Sequence, residues 1–150
     1  MKLATALSQR ADLQRKLSEL NTRLNNNAKA QDGEAPSEDP KTLLKELDGT
    51  LLELEKLIAA INLTNSRTEV DGTTLTELLA KRDILGKRVQ IMRGFLDAAS
   101  SKTDRYSKTE IRVVSTVDVS SMQKKVDAVS KELRELDEKI QELNWTTELI

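Results

Sequence analysis

The chain has 150 residues with 24 basic and 25 acidic side chains, and this near-zero net charge gives no electrostatic reason to expect nucleic acid or an anionic membrane as its main partner. It contains no cysteine and no histidine, which excludes disulfides, thiolate or imidazole metal sites, and catalytic dyads or triads built on either residue. Aromatic residues make up 2% of the chain, while Leu, Lys and Glu are abundant, a composition typical of long helices around an aliphatic core.

The first predicted helix runs from about Lys2 to Asn26, because apolar side chains recur there at alternating steps of three and four. We call such a line of positions the seam of a helix. One seam position is Arg10, a charge where leucine is otherwise the rule. A polar loop follows, and Ser37 or Asp39 as an N-cap, with Pro40 in the first turn, marks the start of the second helix. The seam of the first helix is Leu3, Ala6, Arg10, Leu13, Leu17, Leu20 and Leu24.

The second predicted helix carries a leucine-rich seam at the same spacing. Leu43, Leu52 and Leu57 add to its apolar area. The predicted seam is Leu44, Leu47, Leu51, Leu54, Ile58 and Ile61.

The third predicted helix follows a tight turn signalled by Asp71-Gly72. Thr74 and Glu77 have the spacing of a capping box, which indicates where this helix begins. Arg82 occupies its seam as Arg10 does that of the first helix. The predicted seam is Leu75, Leu78, Arg82, Leu85, Val89, Met92 and Leu96.

Between the third and fourth helices, residues 110–117 are rich in β-branched side chains without a helical period, which predicts a strand. A lone strand leaves backbone groups unpaired, so we expect a partner in the loop between helices one and two or in another subunit. The fourth helix is predicted from Asp118 to Trp145. Its seam is Val119, Met122, Val126, Val129, Leu133, Leu136, Ile140 and Leu143.

These elements predict a mainly α fold, an antiparallel up-down four-helix bundle of long, coiled-coil-like helices with one short β segment before the last helix. The length suits a single helical-bundle domain over residues 1–150. No stretch is apolar and long enough for a signal peptide or a membrane span, so a cytoplasmic location is the expectation.

A cluster of polar residues is the candidate site. In an up-down bundle, helices one and three begin at the same end, which would place Arg10 and Arg82 in one layer. The sequence also supplies asparagines near the helix ends and acids on the flanks. The candidate polar cluster is Arg10, Asp12, Arg82, Asp83, Asp137, Asn62, Asn65 and Asn144.

The cluster has two interpretations. In the structural one, cross-helix acids neutralise the arginines and fix the helix register, and Arg82→Met costs roughly 3 kcal/mol or more because the partner acid is stranded. Asp12 and Asp83 are then expected to point elsewhere. In the functional one, the arginines line a cavity and bind a carboxylate or phosphate, or the layer holds a divalent ion through oxygen ligands. The candidate cross-helix acids are Asp137, Glu53 and Glu55.

Several short segments resemble the septicolysin-like family of small helical bacterial proteins. The resemblance covers nearly the whole chain and implies a bacterial protein of mostly unknown function, while the family's name implies an oxygen-labile cytolysin. It carries over no catalytic residue. The segments are RADLQ at 10–14, QDGE at 31–34, PSEDP at 36–40, INLTN at 61–65, RDIL at 82–85, DRYS at 104–107 and NWTTEL at 144–149.

The sequence favours a non-enzymatic, self-associating helical protein, because the seams are continuous and the usual catalytic residue types are missing. We expect a homo-oligomer, with no cofactor, no metal and no catalytic residue. Two alternatives stay open. One is membrane activity of the kind the family name implies, although the polar faces carry acids as often as bases and disfavour anionic membranes. The other is binding of a small anion or a divalent ion at the polar cluster.

Overall fold

The computed structural model describes residues 1–101 and 112–150, and its regular elements are four long helices and a two-stranded hairpin. The mainly α fold with four helices and a short β segment ahead of the last helix is therefore confirmed. The elements are α1 (Leu3–Asn26), α2 (Pro40–Arg67), β1 (Glu69–Val70), β2 (Thr73–Thr74), α3 (Leu75–Ser100) and α4 (Val119–Thr146).

Contacts group the chain into two units, residues 1–76 with 141–150, and residues 77–140. In the first unit, α1 and α2 pack antiparallel, since Lys16 pairs with Glu46 and Arg23 with Glu38. Their interior is aliphatic, as the composition requires. The buried apolar residues of these two helices are Leu3, Ala6, Leu20, Leu43, Leu54, Leu57 and Ile61.

The buried seam of α2 differs from the predicted one. Leu44 and Leu51, both predicted seam members, are 50% and 46% exposed. The residues that are buried instead form a line at alternating steps of three and four. This line combines aliphatic residues with two threonines, Thr50 and Thr64. Its members are Leu43, Leu47, Thr50, Leu54, Leu57, Ile61 and Thr64, of which Leu47 is half-buried.

Threonine can occupy these positions because its hydroxyl finds an acceptor on its own helix. The Oγ1 of Thr50 donates to the carbonyl of Glu46, and that of Thr64 to the carbonyl of Ala60, each at 2.8 Å. A buried hydroxyl is costly only when it lacks a partner, so both threonines present a methyl group to the interior at little cost. The leucine-rich side of α2 is left on the surface.

The β segment lies earlier in the chain than predicted. β1 and β2 pair antiparallel, with Val70 opposite Thr73, around a turn in which Asp71 and Gly72 have positive φ angles of 53° and 76°. Positive φ at both central residues is the geometry of a type I′ hairpin turn, for which Asp-Gly is a favoured pair. The turn signal was correct, but the short strands beside it were missed.

The strand predicted at residues 110–117 was wrong over the part that the structure describes. Residues 110 and 111 lie outside the described ranges, and residues 112–117 form loop and bends, with the Ser115 hydroxyl donating to the carbonyl of Val117. β-branched residues favour an extended backbone, but a strand also needs a neighbouring backbone for its N–H and C=O groups. Residues 112–117 have no such ladder.

In the second unit, α3 and α4 run antiparallel, since Arg82 approaches Asp137 and Arg93 donates to Ser130 further along. Leu85 and Val89 of α3 and Val129 of α4 form a buried cluster, against which one residue of each helix packs. The two partly buried residues are Met92 and Leu133. All five belong to the predicted seams of these helices, which are confirmed.

The two chain ends of the first unit pair with each other. The Leu3 amide donates to the Thr147 carbonyl at 2.9 Å, and the Leu149 amide to the Met1 carbonyl at 2.7 Å. The Ile150 amide then donates to Oγ1 of Thr64 at 3.1 Å. We call this pairing the terminal clasp. It attaches both chain ends to α2.

Thr64→Val is expected to lower the free energy of unfolding by about 1–2 kcal/mol, because valine keeps the shape but leaves the Ile150 amide without its acceptor. Thr50→Val is the matched control, since Thr50 is equally buried and bonds only within its own helix. It should change the free energy by about 0.5 kcal/mol or less. Urea unfolding measures both. Equal losses for the two variants would contradict the role assigned to the Thr64 hydroxyl.

Candidate functional site

The structure places Arg82 between two carboxylates. Its guanidinium Nη2 lies 3.2 Å from Oδ1 of Asp83, and Nη1 lies 3.7 Å from Oδ1 of Asp137 on α4. Asp137 is thus the cross-helix acid beside Arg82. The expectation that Asp83 points elsewhere was wrong, because the long arginine side chain turns back to the adjacent residue on its own helix. The Arg82 side chain is 32% exposed, so the pair is a partly solvated surface arrangement and not a charge buried in an apolar layer.

The structure treats Arg10 differently. Arg10 is half-buried on α1 and has no ion pair within residues 1–101 and 112–150. Asp12 pairs with Arg15 on the same helix, and neither Glu53 nor Glu55 reaches Arg10. Partial exposure explains how the charge is tolerated, because water solvates the guanidinium.

The three candidate asparagines lie in the first unit, in different surroundings. Asn62 is exposed on α2, Asn65 is half-buried beyond it, and Asn144 is buried on α4. Over the described part of the chain, no hydrogen bond joins any of them to another or to Arg10. The described residues also hold no group of three or more acidic side chains arranged to bind a metal ion.

A polar cluster that the sequence did not predict connects α1 to the following loop. The guanidinium of Arg23 contacts the Glu38 carboxylate through two nitrogens, with Nη2 at 2.5 Å from Oε1 and Nε at 3.0 Å from Oε2. Its third nitrogen, Nη1, lies 3.7 Å from the carboxylate of Glu46. Asn27, buried at the end of α1, donates to the Arg23 carbonyl and accepts from the Glu38 amide. We call Arg23, Asn27, Glu38 and Glu46 the loop cluster. These contacts hold the loop before α2 against the end of α1.

The sequence carried a weak signal for the loop cluster. Asn27 directly follows the first helix, and an asparagine at a helix end commonly hydrogen-bonds backbone groups of the next segment. The hydrogen bond from Arg23 lowers the pKa of the Glu38 carboxyl below its ordinary value and raises that of the guanidinium. Likewise, hydrogen bonds from Lys2 and from the α-amino group lower the pKa of Glu148.

Two exposed helix surfaces combine apolar and charged residues at heptad spacing. On α2, about 110° around the helix from the buried seam by the geometry of 3.6 residues per turn, lies a line that we call the α2 stripe. A shallow groove lined by Leu51, Leu54, Glu55, Ile58, Ala59 and Asn62 runs along it. The α2 stripe is Leu44, Asp48, Leu51, Glu55, Ile58 and Asn62.

The second such surface is on α3, in the other unit. Ile84 and Ile91 are 64% and 72% exposed, and Phe95 follows them at the next step. On α3, basic residues stand among the apolar residues of the line, whereas on α2 the residues at the equivalent places are acidic. The α3 stripe is Lys81, Ile84, Arg88, Ile91 and Phe95. Both stripes lie largely at the surface and alternate apolar with charged side chains.

None of the helices in the described ranges combines the length and hydropathy that crossing a membrane would require.

Comparison with known proteins assigns the chain to a family without an established activity. A model described as "Family of unknown function (DUF6847)" matches residues 10–149, so the chain belongs to that family. The chain is also similar to a solved structure, the crystal structure of a functionally unknown conserved protein from Corynebacterium diphtheriae. The identity is 44%, the match covers 100% of this chain and 99% of that one, and the TM-score is 0.92. A search of curated proteins gives no match.

The resemblance to the septicolysin-like family was therefore wrong. The matching family model covers segments on which that resemblance rested, including RADLQ and NWTTEL, and assigns them to a family of unknown function. Segments of four to six residues are too short to identify a family, whereas the family model matches residues 10–149 as a whole.

The pH dependence of stability should report the Glu38 carboxyl. Because its pKa is lowered on folding, Glu38 contributes stability that is present above its ordinary pKa of about 4.5 and lost as the pH falls through its lower folded value. Glu38→Gln should therefore destabilise the protein at neutral pH, and this difference from the wild type should shrink as the pH falls below about 4.5.

Urea unfolding at a series of pH values measures this difference. Glu34→Gln in the same loop is the control, since Glu34 makes no ion pair within the described ranges. The pH dependence of its difference from wild type should be much flatter. A Glu38→Gln difference that stays constant with pH would contradict the assignment.

Arg82→Met is now expected to lower the free energy of unfolding by about 1 kcal/mol or less, well below the loss expected for a buried charge, because exposed ion pairs are weak. Arg10→Met, which removes an arginine without an ion pair, is the control and should cost no more. Chemical denaturation decides the matter. A loss of about 3 kcal/mol for Arg82→Met alone would restore the interpretation as a buried network.

Proposed function

We propose that this chain is a non-enzymatic helical protein that associates with other copies of itself through exposed helix faces. The observation that carries the proposal is the α2 stripe. Leu44 and Leu51 are about half exposed one heptad apart, and Ile58 continues the line.

The heptad spacing of these exposed apolar residues is what supports a role in helix packing. Isolated apolar residues on a surface are ordinary, but a line of them at alternating steps of three and four is the pattern by which one helix packs on another. The inner seam of α2 is already used by its own unit. A second line on the same helix is available to a partner, and burying apolar area favours contact by about 25 cal/mol per Å².

The competing functions have less support. The membrane-active alternative depended on the septicolysin-like resemblance and is withdrawn with it. Binding of an anion or a divalent ion at the polar cluster has less support, because Arg82 is already neutralised by two carboxylates and Asp12 by Arg15. The proposal places the protein in the cytoplasm.

Light scattering coupled to size exclusion over a micromolar concentration range tests the proposal. The mass should rise from one chain toward two or more with concentration. Leu51→Asn, which places a polar side chain in the middle of the α2 stripe, should shift the dissociation constant upward by about tenfold or more, since a polar group without a partner opposes burial.

The matched control is Leu63→Asn, because Leu63 is an exposed leucine on the same helix about 100° away from the α2 stripe. It should leave the mass profile close to that of wild type. A single-chain mass at every concentration would overturn the proposal.

A further inference from the structure

We infer that the α2 stripe of one copy binds the α3 stripe of another copy. The inference rests on the proposed self-association and identifies its two surfaces. It comes from the repeat that the stripes share and from the opposite charges within it.

The two stripes match in spacing. On α2, Leu51 and Ile58 stand one heptad apart with Glu55 between them, and on α3, Ile84 and Ile91 stand one heptad apart with Arg88 between them. In each case the charged residue follows the first apolar residue by four positions. The α2 stripe is about 27 Å long and the α3 stripe about 21 Å, at 1.5 Å per residue. Helices of this length and repeat can pack along their full stripes.

The charges are complementary. Asp48 and Glu55 make the α2 stripe acidic, while Lys81 and Arg88 make the α3 stripe basic, and within each stripe the two charges are one heptad apart. A pairing of two α2 stripes would oppose acids to acids, and a pairing of two α3 stripes would oppose bases to bases. Like charges across an interface disfavour the wrong partner, so complementarity selects the mixed pairing.

Three of the four charged groups are available for this contact. Asp48, Glu55 and Arg88 make no ion pair in the part of the chain that the structure describes. The exception is Lys81, whose Nζ lies 3.6 Å from Glu132. The apolar residues of the two stripes supply the buried area, and the charges supply the choice of partner.

Charge reversal tests the inference in the full-length chain. Glu55→Arg should raise the dissociation constant of self-association by about tenfold or more, and Arg88→Glu should do the same, because each opposes like charges. The double variant Glu55→Arg with Arg88→Glu should regain association to within about threefold of wild type, since both stripes are reversed together. An equimolar mixture of the two single variants should also associate, through the reversed α2 stripe of one and the reversed α3 stripe of the other.

Glu53→Arg is the control, because Glu53 is an exposed acid on the opposite side of α2 from the stripe. It should change the dissociation constant by less than about twofold. Circular dichroism confirms that each variant is folded before its mass is compared.

Disulfide crosslinking gives a second measurement, since the chain contains no cysteine of its own. Leu51→Cys and Ile84→Cys, mixed and oxidised, should form a crosslinked dimer faster than either variant alone. Association that is insensitive to both charge reversals would leave self-association standing and overturn this pairing of stripes. Absence of association in the wild type would overturn both.

Discussion

Hydrogen bonds from two threonines to their own helix backbone allow the threonine-bearing side of α2 to face inward. The hydroxyls of Thr50 and Thr64 are satisfied before any tertiary contact forms, so both residues can be buried among leucines. The seam they complete packs in the first unit, and Thr64 additionally receives the amide of Ile150. Had Leu44 and Leu51 been buried instead, Thr64 would have turned away from that amide. Part of the apolar content of α2 therefore remains at the surface.

The charged residues likewise avoid full burial. The described ion pairs lie at least partly in solvent, and the best-formed of them, Arg23 with Glu38, fixes a loop and not a cavity. The described interior is largely aliphatic, and the described ion pairs stay at least partly solvated. The long helical surfaces are therefore where shape and charge pattern would act in the proposed self-association.

Sequence periodicity predicted the four helices well, because apolar spacing over more than twenty residues is a strong signal. It predicted the inward face of α3 and α4 through Leu85, Val89 and Val129. It failed on α2 because leucine was given more weight than threonine, although spacing alone allowed either line. The β hairpin was missed because strands of two residues have no period to detect. The prediction at residues 112–117 failed because composition cannot supply a neighbouring strand.

The candidate site was predictable only in part, and for a related reason. The positions of Arg82 and Asp137 along their helices predicted that the two side chains lie close together. Position alone could not predict which way the Arg10 side chain turns or that Asp12 pairs with Arg15. Such local choices depend on side-chain rotamers and solvent access, which differ between positions of identical spacing. The loop cluster around Asn27 depends on the path of an irregular loop, for which no periodic rule exists.

The terminal clasp constrains the order in which parts of the chain can fold. α1 and α2 are neighbours in the sequence and need only a short loop to meet, whereas Lys2 and Thr146 are separated by 144 positions. Contacts that close so long a loop lose the most chain entropy, so they gain stability only after the intervening helices are ordered. We therefore expect the hydrogen bonds at Leu3 and Leu149 to form in the last step of folding. Their protection from hydrogen exchange during refolding would report when the first unit is complete.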